Sequence, residues 1–183
     1  MLNKSEMEPD KHHAAVCGLF CPACSLFIGT REDPQRLEML AKVFGVTPEQ
    51  VRCEGCGSQV LSPYCRTCQM AKCAREKGIE FCGECSEYPC AEIKTFQEAM
   101  PHRLELWESL ARIKEAGYDK WYMEMAGHYA CQSCGTINSA YDFKCRKCGN
   151  EPSCDYVRLH KDEIIAQLGK LQGSTNPDSP ISI

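Results

Sequence analysis

The chain has 183 residues, with 21 basic and 25 acidic side chains and a formal net charge of −4 at pH 7. Its mean hydropathy is −0.39, and the lack of any run of about twenty apolar residues excludes a membrane-spanning helix. Sixteen residues are cysteine, and residues 1–15 are too polar for a secretory signal, so we expect a cytoplasmic protein whose thiols are reduced.

The first predicted helices lie downstream of the first three cysteines. Asp33 offers an N-cap, Pro34 fits the first helical position, and the periodic stretch that follows ends at Gly45. Thr47 and Gln50 have the spacing of a capping box and indicate a very short helix. This region therefore predicts two helices in close succession.

The strongest helical patterns lie in the middle of the chain. Residues 69–77 predict a helix that carries Cys73 on one face. Residues 91–116 predict a longer helical region, interrupted at Pro101 and ended by Gly117. Its second half carries an apolar stripe, which we interpret as a face turned toward the core. The stripe consists of Leu106, Trp107, Leu110 and Ile113.

A change of character near residue 126 predicts a domain boundary. Residues 121–125 prolong the helical tendency, Gly127 breaks it, and short strands and turns are expected from there to Gly149. We expect a flexible N-terminus over 1–13, a cysteine-rich metal-binding helical domain over 14–125, a zinc ribbon with a trailing helix (161–171) over 126–172, and a flexible tail over 173–183. The predicted fold class is a small metal-stabilised α+β protein, a mostly helical domain followed by a short β zinc ribbon.

Six pairs of cysteines have the spacing C-x2-C. They are Cys21 and Cys24, Cys53 and Cys56, Cys65 and Cys68, Cys82 and Cys85, Cys131 and Cys134, and Cys145 and Cys148. Two thiolates three positions apart can bind one ion when the backbone between them turns tightly, and two such pairs complete a tetrahedral zinc site. Six repeats of one spacing therefore predict metal binding rather than inert buried thiols.

The last four paired cysteines form the clearest motif. Cys131 and Cys134 are followed by Gly135, and Cys145 and Cys148 are followed by Gly149. Glycine adopts the left-handed turn of a zinc knuckle at the lowest cost, and residues 129–149 resemble the zinc-ribbon family. We expect these four thiolates to hold one structural zinc; a rubredoxin-like iron site has a much longer separation between its halves. Cys154 is expected to be a bystander.

The other eleven cysteines have a characteristic order. They are Cys17, Cys21, Cys24, Cys53, Cys56, Cys65, Cys68, Cys73, Cys82, Cys85 and Cys90. With the segments Cys17-Gly-Leu-Phe-Cys21, Phe81-Cys82 and Tyr88-Pro89-Cys90, this order resembles the prokaryotic family catalogued as domain of unknown function 3795, over about residues 14–120. The resemblance implies a metal-binding, mostly helical cytosolic domain with no established reaction.

Eleven thiolates do not divide evenly among tetrahedral sites. The preferred division gives one zinc to Cys53, Cys56, Cys65 and Cys68, and another to Cys73, Cys82, Cys85 and Cys90. Cys17, Cys21 and Cys24 then need a fourth ligand, from His12, His13, His102, a shared thiolate, water or an exchange of partners between knuckles. We therefore expect about three zinc ions, or four, with one [4Fe–4S] cluster in the N-terminal domain as the alternative.

The functional hypotheses follow from this metal content. The first is a cytoplasmic zinc-binding interaction or scaffolding module with an unidentified protein partner and no catalytic residues, although the sequence leaves enzymatic activity undecided. The second is an iron–sulfur electron-transfer protein. The third, nucleic-acid binding through the ribbon, is disfavoured because residues 126–183 carry six basic and six acidic side chains. The sequence does not define an oligomeric state.

Overall fold

The computed structural model describes residues 1–173, which are predominantly helical. Within that range the chain forms nine α-helices connected by loops and short 3-10 turns. The helices are α1 (Ser25–Glu32), α2 (Pro34–Phe44), α3 (Pro48–Val51), α4 (Pro63–Arg66), α5 (Gln69–Lys77), α6 (Ala91–Glu98), α7 (Leu106–Ala116), α8 (Tyr118–His128) and α9 (Asp155–Gly173). The 3-10 turns are Lys4–Glu6, Lys11–His13, Cys21–Ala23, Cys82–Glu84 and Pro101–Arg103. No helix among residues 1–173 combines the length and apolarity needed to cross a membrane.

The helix boundaries predicted from capping residues are confirmed. Asp33 caps α2 by accepting a hydrogen bond from the Arg36 backbone N–H at 3.0 Å. Both hydrogen bonds of the capping box between Thr47 and Gln50 are present at α3. Gly45 ends α2 in the left-handed conformation. Local hydrogen bonding therefore fixes these ends before tertiary packing acts.

The long helical region predicted over residues 91–116 is also confirmed. It is divided into α6 and α7 by the 3-10 turn that begins at Pro101, and α7 ends at Gly117. The predicted stripe faces the interior, because Leu106, Leu110 and Ile113 are buried in the main core. Proline lacks the backbone N–H that an uninterrupted helix would use at this point.

Helix α4 is not predicted from the sequence, although Ser62 caps it and Pro63 is its first residue. Three further helices differ from the sequence-based expectation. The sequence pattern does not indicate α1, whose residues Leu26 to Gly29 are all buried and so show no apolar face. Helix α8 continues through Gly127 to His128, so Gly127 does not end it. Helix α9 begins at Asp155, six positions before the predicted start. In each case tertiary packing outweighs the weak local preference.

The short β-strands expected between His128 and Gly149 are reduced to single bridges. Ala130 pairs with Ile137, and Thr136 pairs with Asn3, both antiparallel. Among residues 1–173 the bridges stay isolated and none extends into a strand. Longer strands do not form because most residues in each half of the motif belong to the tight turn between two cysteines. The mostly helical part of the predicted fold class is confirmed, and the β ribbon is not shown.

The main hydrophobic core extends across the predicted boundary at residue 126. Phe20 stacks on Tyr129 with ring centroids 5.9 Å apart, and Tyr129 stacks on Tyr156 at 5.1 Å. Phe20 belongs to the N-terminal part and Tyr156 to α9, so three distant segments share one aromatic stack. A smaller core cluster contains Leu26, Ala41, Val51 and Cys53.

The N-terminal residues lie against the C-terminal cysteines. The Lys4 backbone N–H donates to the carbonyl of Gly135 at 2.8 Å, and the Ile137 N–H donates to the carbonyl of Leu2 at 3.0 Å. These are residues for which the sequence predicts a flexible N-terminus. The division into domains stays a prediction, and the part of the predicted tail from residue 174 onward lies outside the described residues.

Candidate metal centre

The first knuckle of the C-terminal motif is a tight hydrogen-bonded turn. The Gly135 N–H donates to the carbonyl of Cys131 at 2.8 Å, and the Cys131 N–H donates to the carbonyl of Thr136 at 2.9 Å. Gly135 has φ +71°, a left-handed conformation that glycine adopts without the clash a Cβ would cause. The turn brings the side chains of Cys131 and Cys134 to the same side of the backbone.

The second knuckle repeats this geometry. The Gly149 N–H donates to the carbonyl of Cys145 at 2.9 Å, and the Cys145 N–H donates to the carbonyl of Asn150 at 2.8 Å. Gly149 has φ +74°. The predicted role of the two glycines is therefore confirmed, and two equivalent turns present two cysteines each.

The four thiols of the two knuckles converge on one point. Every pair of their Sγ atoms lies within 4.8 Å. Cys131 and Cys148 are 3.6 Å apart, and so are Cys134 and Cys145. A tetrahedral ion with bonds of about 2.3 Å to sulfur requires sulfur–sulfur separations of about 3.8 Å. Cys131, Cys134, Cys145 and Cys148 could therefore hold a metal ion; in the described part of the chain no other group of three or more ligands is this close.

A buried asparagine supports the two knuckles from behind. Asn138 donates from Nδ2 to the carbonyls of Thr136 at 2.8 Å and Ser153 at 3.2 Å, and accepts from the Arg146 N–H at 3.1 Å. Its Nδ2 also lies 3.8 Å from Cys145 Sγ. These bonds join both turns and the start of the segment that leads to α9. The sequence does not single out Asn138, because it sits in an ordinary polar stretch between the cysteine pairs.

Hydrogen bonding favours the charged form of one thiol of the centre. Hydrogen bonding with Thr136, whose Oγ1 lies 3.3 Å from Cys134 Sγ, lowers the pKa of Cys134 to about 6. A metal displaces thiol protons when it binds. The lowered pKa therefore makes loss of the Cys134 proton to a metal less costly.

Five N-terminal thiols form a second, looser group. Cys21 interacts with Cys56, Cys56 interacts with Cys65, and Cys65 interacts with Cys53. The fifth member, Cys24, lies close enough to Cys53 for that thiolate to raise its pKa, which burial raises most. The thiols of Cys21 and Cys24 therefore lie near those of the second and third cysteine pairs.

Four further thiols surround a small cavity. Cys73 on α5 and Cys82, Cys85 and Cys90 from the following loop all line it. Burial raises the pKa of Cys82 to about 12, with further increases from Cys90 and Cys73. These four are the ones that the sequence assigns to one site.

Three thiols of the other predicted set of four, Cys53, Cys56 and Cys65, act on one another's pKa. Burial raises the pKa of Cys17 to about 12, and the Cys68 and Cys82 thiols raise it further. Cys17 in turn raises the pKa of Cys56. The assignment of Cys53, Cys56, Cys65 and Cys68 to one ion stays a prediction.

The three histidines considered as ligands have other partners. His12 Nδ1 lies 2.9 Å from Asp10, His13 Nδ1 lies 3.0 Å from the Tyr122 hydroxyl, and His102 Nδ1 lies 2.6 Å from the Tyr141 hydroxyl. Burial lowers the pKa of His102 to about 3, so its ring is neutral at physiological pH. The last cysteine, Cys154, is buried beside Ser153, as expected for a bystander.

The fold and site define a mostly helical, cysteine-rich protein with one four-thiol site that could hold a metal ion. Residues 13–95 match the model of a family described as "Protein of unknown function (DUF3795)". This match confirms the resemblance over the N-terminal cysteines and stops before the C-terminal motif. Comparison with curated proteins and with solved structures gave no match.

Proposed function

We propose that the protein is a cytoplasmic zinc-binding module whose C-terminal centre is a structural zinc ribbon, and that it acts by binding another protein. The observation that carries this proposal is the convergence of Cys131, Cys134, Cys145 and Cys148 within 4.8 Å. Four thiolates fill the coordination shell of zinc, and a filled shell is typical of structural sites, whereas catalytic zinc keeps one position for water or substrate.

The contacts around the centre explain what the zinc would stabilise. The centre holds Gly135 and Ile137, which bond to residues 2–4, and Arg146, which forms an ion pair with Glu32 at the end of α1. An ion that fixes the two knuckles therefore also fixes the surface on which the N-terminal residues and α1 lie. This supports a structural rather than a catalytic role.

The charges around the ribbon support a protein partner over a nucleic acid. Arg146 pairs with Glu32, and Lys144 lies 3.6 Å from Glu151. Two of the three basic side chains near the second knuckle thus already face a carboxylate. Neutralisation of phosphates needs cations that are available to the backbone of the nucleic acid.

The direct test is zinc stoichiometry of the full chain by native mass spectrometry. We expect Cys148→Ala to bind one zinc fewer than the parent, because Cys148 is an exposed member of the centre whose replacement leaves the core intact. Cys154→Ala is the matched control, since it removes a thiol outside the centre, and it should keep the parent's zinc count. Equal zinc counts in the parent and Cys148→Ala would refute the proposed zinc ribbon.

The partner role is tested separately by crosslinking in cells of the source organism. Zinc-loaded parent should yield a defined crosslinked protein that Cys148→Ala fails to capture. If both capture the same protein equally, the zinc centre plays no part in the interaction.

A further inference from the structure

The thiols of Cys73, Cys82, Cys85 and Cys90 differ from the C-terminal centre in one geometric respect. They line one cavity, yet no three of them have Sγ atoms that all lie within 4.8 Å, a condition that among residues 1–173 only the C-terminal four meet. Thiolates around a single ion must approach one another closely. In a [4Fe–4S] cluster each thiolate binds a different iron, so the four sulfurs stand further apart around the cluster.

The cavity that these thiols help to line is larger than a single ion needs. It measures about 70 Å³, whereas one water in the liquid occupies about 30 Å³. A zinc ion in direct contact with four sulfurs needs no such space. The cavity therefore has room for a polyatomic group that carries its own bridging atoms.

The lining of the cavity also suits an anionic cluster. Beside the thiols it is lined by apolar side chains, among them the buried Met70, Ala74 and Ile93. Charged side chains also line it, namely Lys77, Glu87 and Glu92. Lys77 provides a cation, with Nζ 3.3 Å from Cys85 Sγ. A nearby donor stabilises the negative charge on a cluster thiolate.

We propose that Cys73, Cys82, Cys85 and Cys90 bind a [4Fe–4S] cluster, so that the protein contains two metal centres of different chemistry. Helix α5 supplies one ligand and the loop between α5 and α6 supplies three. This site is independent of the zinc ribbon, which lies in another part of the chain. The looser group of Cys21, Cys24, Cys53, Cys56 and Cys65 is not part of it.

The experiment reconstitutes the full chain with ferric iron, sulfide and a thiol reductant in the absence of oxygen, the thiol supplying the two electrons that each cluster needs. It then measures iron, acid-labile sulfide and the visible spectrum. We expect about four irons and four sulfides per chain with a broad visible absorption. Cys73→Ala and Cys85→Ala should each lose this iron. Cys73 is exposed on a helix, where alanine is well tolerated, so its variant tests ligation rather than folding.

Two controls separate this site from the others. Cys56→Ala removes an exposed thiol of the looser group and should keep the full iron content. Cys148→Ala should keep the iron while losing zinc, so failure of the zinc ribbon and failure of the cluster give different results. A parent that takes up no iron, or a cluster that persists in both Cys73→Ala and Cys85→Ala, would overturn the assignment.

Discussion

Arg36 of α2 and Asp142, which lies between the two C-terminal knuckles, form a two-armed ion pair. Arg36 Nη2 donates to Asp142 Oδ1 at 2.6 Å, and Nη1 donates to Oδ2 at 3.2 Å. The two side chains are only 12% and 13% exposed. With the neighbouring pair of Arg146 and Glu32, this contact joins the first two helices to the C-terminal cysteine motif across more than 100 residues of sequence.

The Arg36 and Asp142 pair should contribute measurably to stability. We expect a double-mutant cycle with Arg36→Ala and Asp142→Ala to give a coupling energy of about 1–3 kcal/mol in urea unfolding, because both charges are largely withdrawn from water. The control is the cycle for Lys72 and Glu76, which are 64% and 66% exposed at 4.0 Å and should couple by about 0–0.5 kcal/mol. Equal coupling in both cycles would show that the ribbon is not anchored through Arg36.

The two knuckle glycines should respond differently to the same substitution. Alanine at either position is strained by about 1 kcal/mol because φ is positive. At Gly135 its Cβ would also lie 2.9 Å from the Asn3 Oδ1 atom, whereas at Gly149 nothing lies within 4 Å. We expect Gly135→Ala to unfold at lower urea than Gly149→Ala, and Asn3→Gly to remove most of the difference. Identical midpoints for the two alanine variants would contradict the contact of the N-terminal residues with the knuckle.

Asn138 should act on the metal centre without touching the ion. Replacing it by alanine removes three hydrogen bonds that join both knuckles, and loss of such outer partners typically weakens metal binding by about 10- to 100-fold. We expect Asn138→Ala to release zinc to a competing chelator at correspondingly lower chelator concentration. Gln132→Ala, at an exposed position in the first knuckle, should behave like the parent. Unchanged zinc affinity in Asn138→Ala would show that the hydrogen bonds of Asn138 do not contribute to metal binding.

His160 should make the stability of the fold depend on pH. Burial lowers its pKa, but hydrogen bonds to Glu163 and Glu105, at 2.7 and 2.8 Å, outweigh this and raise the pKa above its ordinary value. A raised pKa in the folded state stabilises the fold fully below the unfolded value of about 6.5, and this stabilisation is lost as pH rises through the folded pKa.

The test compares the free energy of unfolding of the parent and His160→Gln at a fixed zinc concentration. The parent's advantage over the variant should be largest at about pH 6 and shrink as the pH rises above about 6.5. Taking the difference between the two proteins removes the contributions of titrating groups that do not interact with His160 or with its partners Glu105 and Glu163. A constant difference across this range would mean that His160 keeps the same charge in both states.

Local sequence patterns predict the helices whose ends are marked by capping residues. They do not predict helices whose position is determined by tertiary packing. Asp33 and Gly78 mark helix ends through backbone geometry that their neighbours determine. Helix α1 has no such marker, since its N-cap Cys24 makes no capping hydrogen bond. Its position depends on contacts with α2 that no short window of sequence contains.

The same distinction applies to the cysteines. The C-terminal four are grouped correctly because both pairs lie within 18 residues and each is completed by its own glycine. The position of Cys17 is different: spacing places it with Cys21 and Cys24, but it also lies near Cys56, Cys68 and Cys82. Its grouping depends on the packing of distant segments, which spacing does not encode.

The central claim is that Cys131, Cys134, Cys145 and Cys148 surround one zinc ion. The most direct measurement is X-ray absorption at the zinc edge of the full chain, with Cys148→Ala as the comparison. The parent should show zinc with four sulfur neighbours at about 2.3 Å, and the variant should lose one zinc ion's share of that sulfur signal. A parent without such a sulfur signal, or a variant with the same zinc content and the same signal, would contradict the account.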